Sequence, residues 1–132
     1  MLGELIATGH GKRTGRRIVD TNPLAVEASF EDITKMLGVD VQNMGTYTSS
    51  PKPNGSLHGE GQGSFFSAAG DLVTWRGMGA GALNPDGSVS YRGVLSYSTA
   101  SAAFARLNAI GGVFEFEIDA AGNTTSKIWE WK

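Results

Sequence analysis

Few side chains in this sequence have chemistry to offer. Two histidines, His10 and His58, stand in a chain of 132 residues that contains no cysteine. Thiolate catalysis, disulfides and cysteine-ligated zinc are excluded at once. His58 and Glu60 lie two residues apart, a spacing that puts both on one face of an extended strand, and with His10 they come nearest to a metal set. A third clear ligand is lacking, so no metal site is expected. No G-x-S-x-G turn exists to expose a nucleophilic serine, which leaves a hydrolytic triad without its usual local support. Glu60, Arg76 and Arg92 are the most suggestive polar set. Facing a common interior, the two guanidinium groups could clamp a carboxylate while Glu60 moved a proton, and the three would then be catalytic candidates. Facing water, they form a cross-strand charge ladder, which is the reading that the residue pattern favours.

The remaining polar motifs exclude more than they suggest. "TWRGMGAG" at 74–81 spaces its glycines G-x-G-x-G and runs into a hairpin, so it is no dinucleotide fingerprint. "GKRTGRR" gathers Lys12, Arg13, Arg16 and Arg17, but the chain sets 11 Lys and Arg against 13 Asp and Glu. A basic stripe interleaved with stacking aromatics is missing, so neither nucleic acid nor a membrane surface is an expected partner. The N-terminus carries Glu4 and no apolar run of signal-peptide length, and no segment approaches about 18 apolar residues. A soluble, cytoplasmic protein without a cofactor is the expectation. The sequons at Asn54 and Asn123 then reduce to turn chemistry.

The elements that would position these residues follow from the turns. "SAAGD" (67–71), "NPDGS" (84–88) and "DAAGN" (119–123) each place two turn-tolerant residues before a glycine, the pattern of a three-residue hairpin loop closed by a left-handed glycine. Pairing outward from these loops sets Phe65 against Val73, Gly63 against Trp75, Gly61 against Gly77 and Gly59 against Gly79. It also sets Gly79 against Gly93, Trp75 against Tyr97, Gly81 against Tyr91, Phe114 against Ile128 and Glu115 against Lys127. Glycines and large aromatics thereby fall on one face, and Glu60, Gln62, Arg76 and Arg92 on the other.

Two further strands are expected, a long bent one over the first 20 residues with glycines at 9, 11 and 15, and one over 39–48 with Val39, Val41 and Tyr47 on one side. Residues 28–38 are ambiguous, since Ser29 with Asp32 resembles a helix start while "LAVEASF" alternates; a strand is the preferred reading. A short helix is predicted over 101–109, with Thr99 or Ser101 as cap, Phe104 and Leu107 inward and Gly111 as its stop. The sum is an all-β chain, residues 1–132 forming a single β-barrel domain. About eight antiparallel strands make a meander closed into a small barrel, with one short helix before the last hairpin. An open sheet folded into a sandwich is the rival.

The run from "GEGQG" through "TWRGMGAG" and "SYRGVLSY" to "FEFEID" resembles the calycin-like small barrels, in particular the allene oxide cyclase-like barrel group. The resemblance implies a closed barrel that either binds a lipophilic ligand or acts as a cyclase on one, and no catalytic motif of the group maps onto these residues. The lipocalin G-x-W near the N-terminus is absent.

Glycine, 19 of 132 residues, has two explanations that overlap. Bare positions permit tight coiling and close backbone approach, and they also leave volume that Phe65, Trp75, Tyr91, Tyr97, Phe114 and Phe116 would wall as a ligand-binding interior. The leading functional expectation is a small barrel binding an apolar or amphipathic small molecule there. The alternatives are a cofactor-free cyclase or isomerase using the same cavity, and an interaction module with a solid core. "KIWEWK" places Trp129 outward and, with Trp131, predicts a homo-oligomer interface.

Overall fold

The computed structural model describes residues 2–132. Eight strands follow one another as β1 (Leu2–Thr21), β2 (Leu24–Met36), β3 (Val39–Pro51), β4 (Leu57–Ser67), β5 (Leu72–Leu83), β6 (Val89–Thr99), β7 (Gly111–Ile118) and β8 (Asn123–Trp131). Each pairs antiparallel with the next, and β8 returns to β1, closing the barrel. Closure leaves no free sheet edge along most of the wall. Residues 28–38 resolve as strand for most of their length: β2 runs unbroken to Met36, because its inward positions Ala28, Phe30, Asp32, Thr34 and Met36 alternate at period two and all are buried.

The three hairpin loops form as the turn residues dictate. Gly70, Gly87 and Gly122 adopt φ of 90°, 87° and 89°, and their N–H groups donate to the carbonyls of Ser67, Asn84 and Asp119 at 3.0 Å in each case. The registers that these loops impose match those derived from the sequence, including Gly63 with Trp75, Gly79 with Gly93 and Gly81 with Tyr91. In β3, Val41 and Tyr47 point inward, but Val39 is exposed. It sits at the strand's first position, beyond the reach of the core.

The short helix is a 3₁₀ helix, Ala102–Ala109. Two details differ from expectation. Ser101 occupies the N-cap without capping; its hydroxyl donates to Asp71 at 2.5 Å instead. Gly111 does not stop the helix: Ile110 turns extended, donates to the Leu107 carbonyl, and Gly111 opens β7. Phe104, Leu107 and Ile110 plug this end of the barrel against Ile6, Met36, Val41, Phe65, Val73 and Tyr97. Arg106 ties the plug to the wall, reaching Glu4 at 2.6 Å and Glu130 at 3.1 Å.

A second apolar cluster occupies the other half of the interior, where Phe30, Tyr91, Phe116 and Ile118 pack with Tyr47, Trp75 and Phe114. Trp75 touches both clusters.

Candidate functional site

Between the two clusters the barrel holds a cavity of about 100 Å³. Phe65, Trp75, Tyr91, Tyr97, Phe114 and Phe116 all line it, as do Phe30 and Tyr47. The rings meet at tilted and edge-to-face angles, with Phe30 as the hub: its centroid lies 4.9 Å from Phe116, 6.1 Å from Tyr47 and 6.2 Å from Trp75. Such separations are those of favourable aromatic pairs.

The bare strand positions are mostly seats for these rings. A Cβ on Gly63 would fall 2.5 Å from Trp75 Cε2, and one on Gly45 would meet the same indole and the Phe30 ring at 2.6 and 2.8 Å. Tyr91 covers Gly59 and Gly81 in the same way, at 2.9 and 2.5 Å. Gly79 instead faces backbone, with the Arg92 carbonyl oxygen 2.7 Å from where its Cβ would stand. Ring seating and close strand coiling thus account for most of the glycines, and a cavity remains all the same.

One charged group is buried in this interior among the described residues: Asp32, 7% exposed. It lies on β2 two residues from Phe30, so both project to the same side. Thr34 Oγ1 donates to Asp32 Oδ1 at 2.6 Å, and Asn43 Nδ2 donates to Oδ2 at 3.1 Å. Asn43 in turn accepts the Trp75 indole N–H at 2.8 Å. Indole is a donor only, so it fixes the amide's orientation and obliges Asn43 to donate to Asp32. Space for the carboxyl comes from β1. A Cβ on Gly11 would stand 2.6 Å from that of Asp32, and one on Gly9 would crowd Thr34 Oγ1 at 2.6 Å and Ser126 Oγ at 2.8 Å.

Burial raises the Asp32 carboxyl above the usual aspartate range, against the opposing pull of Thr34, Asn43 and, weakly, His10. Burial, reinforced by Tyr91, pushes the Tyr47 phenol up to about 12, with Arg13 and Arg16 pulling the other way. Tyr91 hydrogen-bonds Ser49 at 2.7 Å. The Tyr97 hydroxyl is buried at the cavity wall and has no partner.

Asp32 is absent from the sequence-derived site. Its segment was the ambiguous one, and only the facing glycines at 9 and 11 signalled that something needed room. The polar residues singled out from sequence do not enter this interior, although Glu60 borders it. Glu60, Arg76 and Arg92 have exposed side chains on the outer wall, so the inward-facing alternative for them is excluded. Glu60 pairs with His58 at 2.9 Å rather than with Arg76, and Arg92 pairs with Glu117 at 2.6 Å and Glu115 at 3.6 Å. Among the described residues no group of three His, Asp or Glu side chains is placed to hold a metal, and no helix is long and apolar enough to cross a membrane.

No family model matches this sequence, and no curated protein does. Solved structures do resemble it. A protein with unknown function from Clostridium acetobutylicum superposes with a TM-score of 0.82 at 9% identity, over 96% of this chain and 94% of its own. A conserved protein of unknown function from Rhodopseudomonas palustris gives 0.81 at 13%, over 98% and 97%. What is shared is the fold. At such identities, side-chain chemistry has to be argued from this chain alone. The closed eight-stranded barrel agrees with a calycin-like architecture in outline; a link to the cyclase-like group does not follow from it.

Proposed function

We propose that this barrel binds a small apolar or amphipathic molecule in its aromatic interior. The observation that carries the reading is the cavity itself, which persists although rings fill most of the space above the glycines. A protein selected only for a solid core would gain by filling it, since lost packing costs roughly 24 cal/mol per Å³. An apolar wall with a few convergent polar groups is the usual composition of a ligand site. The test is fluorescence titration with Trp129 and Trp131 replaced by Phe, leaving Trp75 in the cavity wall as sole reporter. Saturable change with small aromatic or branched aliphatic probes is expected; silence across a broad panel would favour a solid interior and reject the reading.

One observation favours a second reading, that of a cofactor-free isomerase or cyclase. A carboxyl raised by burial beside apolar volume is suited to proton transfer. Mass spectrometry of candidate ligands after incubation, compared between wild type and Asp32→Asn, separates turnover from binding.

The outer wall supports self-association. Register places Met78, Val94, Val113, Trp129 and Leu5 in one row across β5, β6, β7, β8 and β1. Met78 and Val94 are each 50% exposed, and neighbouring Trp131 is 64% exposed. Such a stripe suits contact with a second copy.

A further inference from the structure

The geometry points to a small organic cation, an alkylammonium head no larger than trimethylammonium, as the cavity's ligand, with Asp32 as its counter-ion and Phe30, Tyr47, Trp75 and Phe116 as the aromatic wall it lies against. This inference rests on the interior-binding reading above and narrows it to one charge class.

Three independent features converge. The first is charge. Asp32 is the buried acid of the interior, and no lysine or arginine lines the cavity to neutralise it. Buried carboxylates are ordinarily paired or displaced to the surface, because an isolated one is costly. Glu60, the other acid at the cavity boundary, is exposed and already engaged by His58.

The second is the hydrogen bonding that holds the carboxyl. Both oxygens receive a bond, Oδ1 from Thr34 and Oδ2 from Asn43, and the Trp75 indole fixes the Asn43 amide in the donating sense. Donors on both oxygens favour the ionised form. The relay spans β2, β3 and β5 and gives the carboxylate a defined orientation. Burial still raises this carboxyl, so its ionised form is incompletely compensated by the protein. A cation beside it supplies what is missing.

The third is the surrounding surface. Ring faces carry partial negative charge and attract cations, most strongly when water is excluded, and quaternary ammonium groups are commonly held in aromatic cages. Phe30 stands two residues from Asp32 on the same side of β2, and its ring packs against those of Trp75 and Phe116, centroids 6.2 and 4.9 Å away, so that the rings form one continuous aromatic wall of the cavity that Asp32 also lines. Size sets a limit as well: at about 100 Å³, against the roughly 150 Å³ of an apolar cavity that holds benzene, the space restricts the ligand to a compact head group.

The test compares (2-hydroxyethyl)trimethylammonium with 3,3-dimethylbutan-1-ol, its neutral isostere, on the protein bearing Phe at 129 and 131, by Trp75 fluorescence and by calorimetry. At least ten-fold tighter binding of the cation is expected, with the preference reduced to under three-fold in Asp32→Asn, whose fold is checked by circular dichroism. Equal or tighter binding of the alcohol by the otherwise unaltered protein overturns the inference while leaving interior binding intact, and this comparison does not depend on the variant folding. A cation preference that survives in folded Asp32→Asn also overturns it, since the charge would then be read elsewhere. Absence of binding by both probes, with neutral aromatic probes still binding, rejects the cation alone. Silence from every probe rejects the interior-binding reading as well.

Discussion

The Trp75 indole N–H points at Asn43 Oδ1 from 2.8 Å, and through that bond a residue on β5 determines what Asp32 on β2 receives. Removing the middle partner strands both ends. Asn43→Ala is expected to destabilise the fold by about 2–6 kcal/mol, an unpaired buried donor and acceptor each costing roughly 1–3 kcal/mol. Urea denaturation measures the loss. Asn43→Asp has a distinct signature. A second carboxylate would face Asp32, so its destabilisation should be large at pH 7 and much smaller near pH 4, where the pair can share a proton. A pH-independent loss would mean that the amide serves packing alone.

Asp32 also has its own effect on stability. Its carboxyl is raised in the folded state, so between the ordinary aspartate pKa and the raised one the folded chain holds more protons than the unfolded chain. Stability from this group is therefore fully present below the unfolded value and is lost as pH rises through the folded one. Asp71, Asp86 and Asp119 are lowered by hydrogen bonds, chiefly from Ser101, Ser88 and Asn123; they act in the opposite direction and are common to both proteins in a comparison. In Asp32→Asn the introduced amide can accept from Asn43 and donate to Thr34, so no bond need be lost. The variant should gain on wild type as pH rises from the ordinary aspartate value through the raised one and hold level above it, and thermal melts from about pH 4 upward check it. A difference that does not change with pH would mean that folding leaves the ionisation of Asp32 unaltered.

The glycine seats make a sharper contrast. Alanine at Gly63 would press into the Trp75 ring and the Met44 carbonyl, whereas nothing lies within 4 Å of a Cβ on Gly111. Overpacking of this kind costs roughly 1–3 kcal/mol, so Gly63→Ala should lower the melting temperature and disturb Trp75 fluorescence. Gly111→Ala, in extended backbone, should leave stability unchanged or raise it by up to about 1 kcal/mol. Equal effects at both positions would mean that ring seating does not explain the glycines.

Tyr97 offers a gain. Its hydroxyl is buried without a partner and its phenol is pushed up by burial. Tyr97→Phe removes a buried hydroxyl that no protein group satisfies, and stability should hold or rise by about 1 kcal/mol. A loss instead would indicate that an ordered water or a ligand group uses the hydroxyl, and calorimetry with the two probes would tell these apart.

The wall of the barrel was readable from sequence because hairpin loops carry their own chemistry. Once Gly70, Gly87 and Gly122 set the registers, period two placed Trp75, Tyr91 and Phe116 inside without further choice. Asp32 was not readable for the converse reason. Nothing local distinguishes an inward aspartate in "SFEDITKM" from an outward one; its partner Asn43 faces it only once β2 pairs with β3, and the β5 indole and the bare Gly9 and Gly11 of β1 join them only in the folded barrel. The outward Glu60, Arg76 and Arg92 drew attention by their charge. Long basic and acidic side chains on a sheet favour water, and there they lie.

Self-association can be tested on the outer row without touching the interior. Val94 and Met78 pair across β5 and β6, and Val113 and Trp129 continue the line. Exposed stripes of this kind become energetically useful when a second surface excludes water, with tryptophan a frequent anchor. Sedimentation velocity should show a dimer or larger species for wild type. Val94→Lys combined with Trp131→Ala should shift it to monomer, with a melting temperature within a few degrees of wild type, because both side chains already face outward. Binding at the Asp32 cavity should be unaffected by this pair, since neither residue lines it. A wild-type protein that sediments as a monomer at every concentration would assign the row to ordinary surface, with Trp129 half-buried within its own barrel.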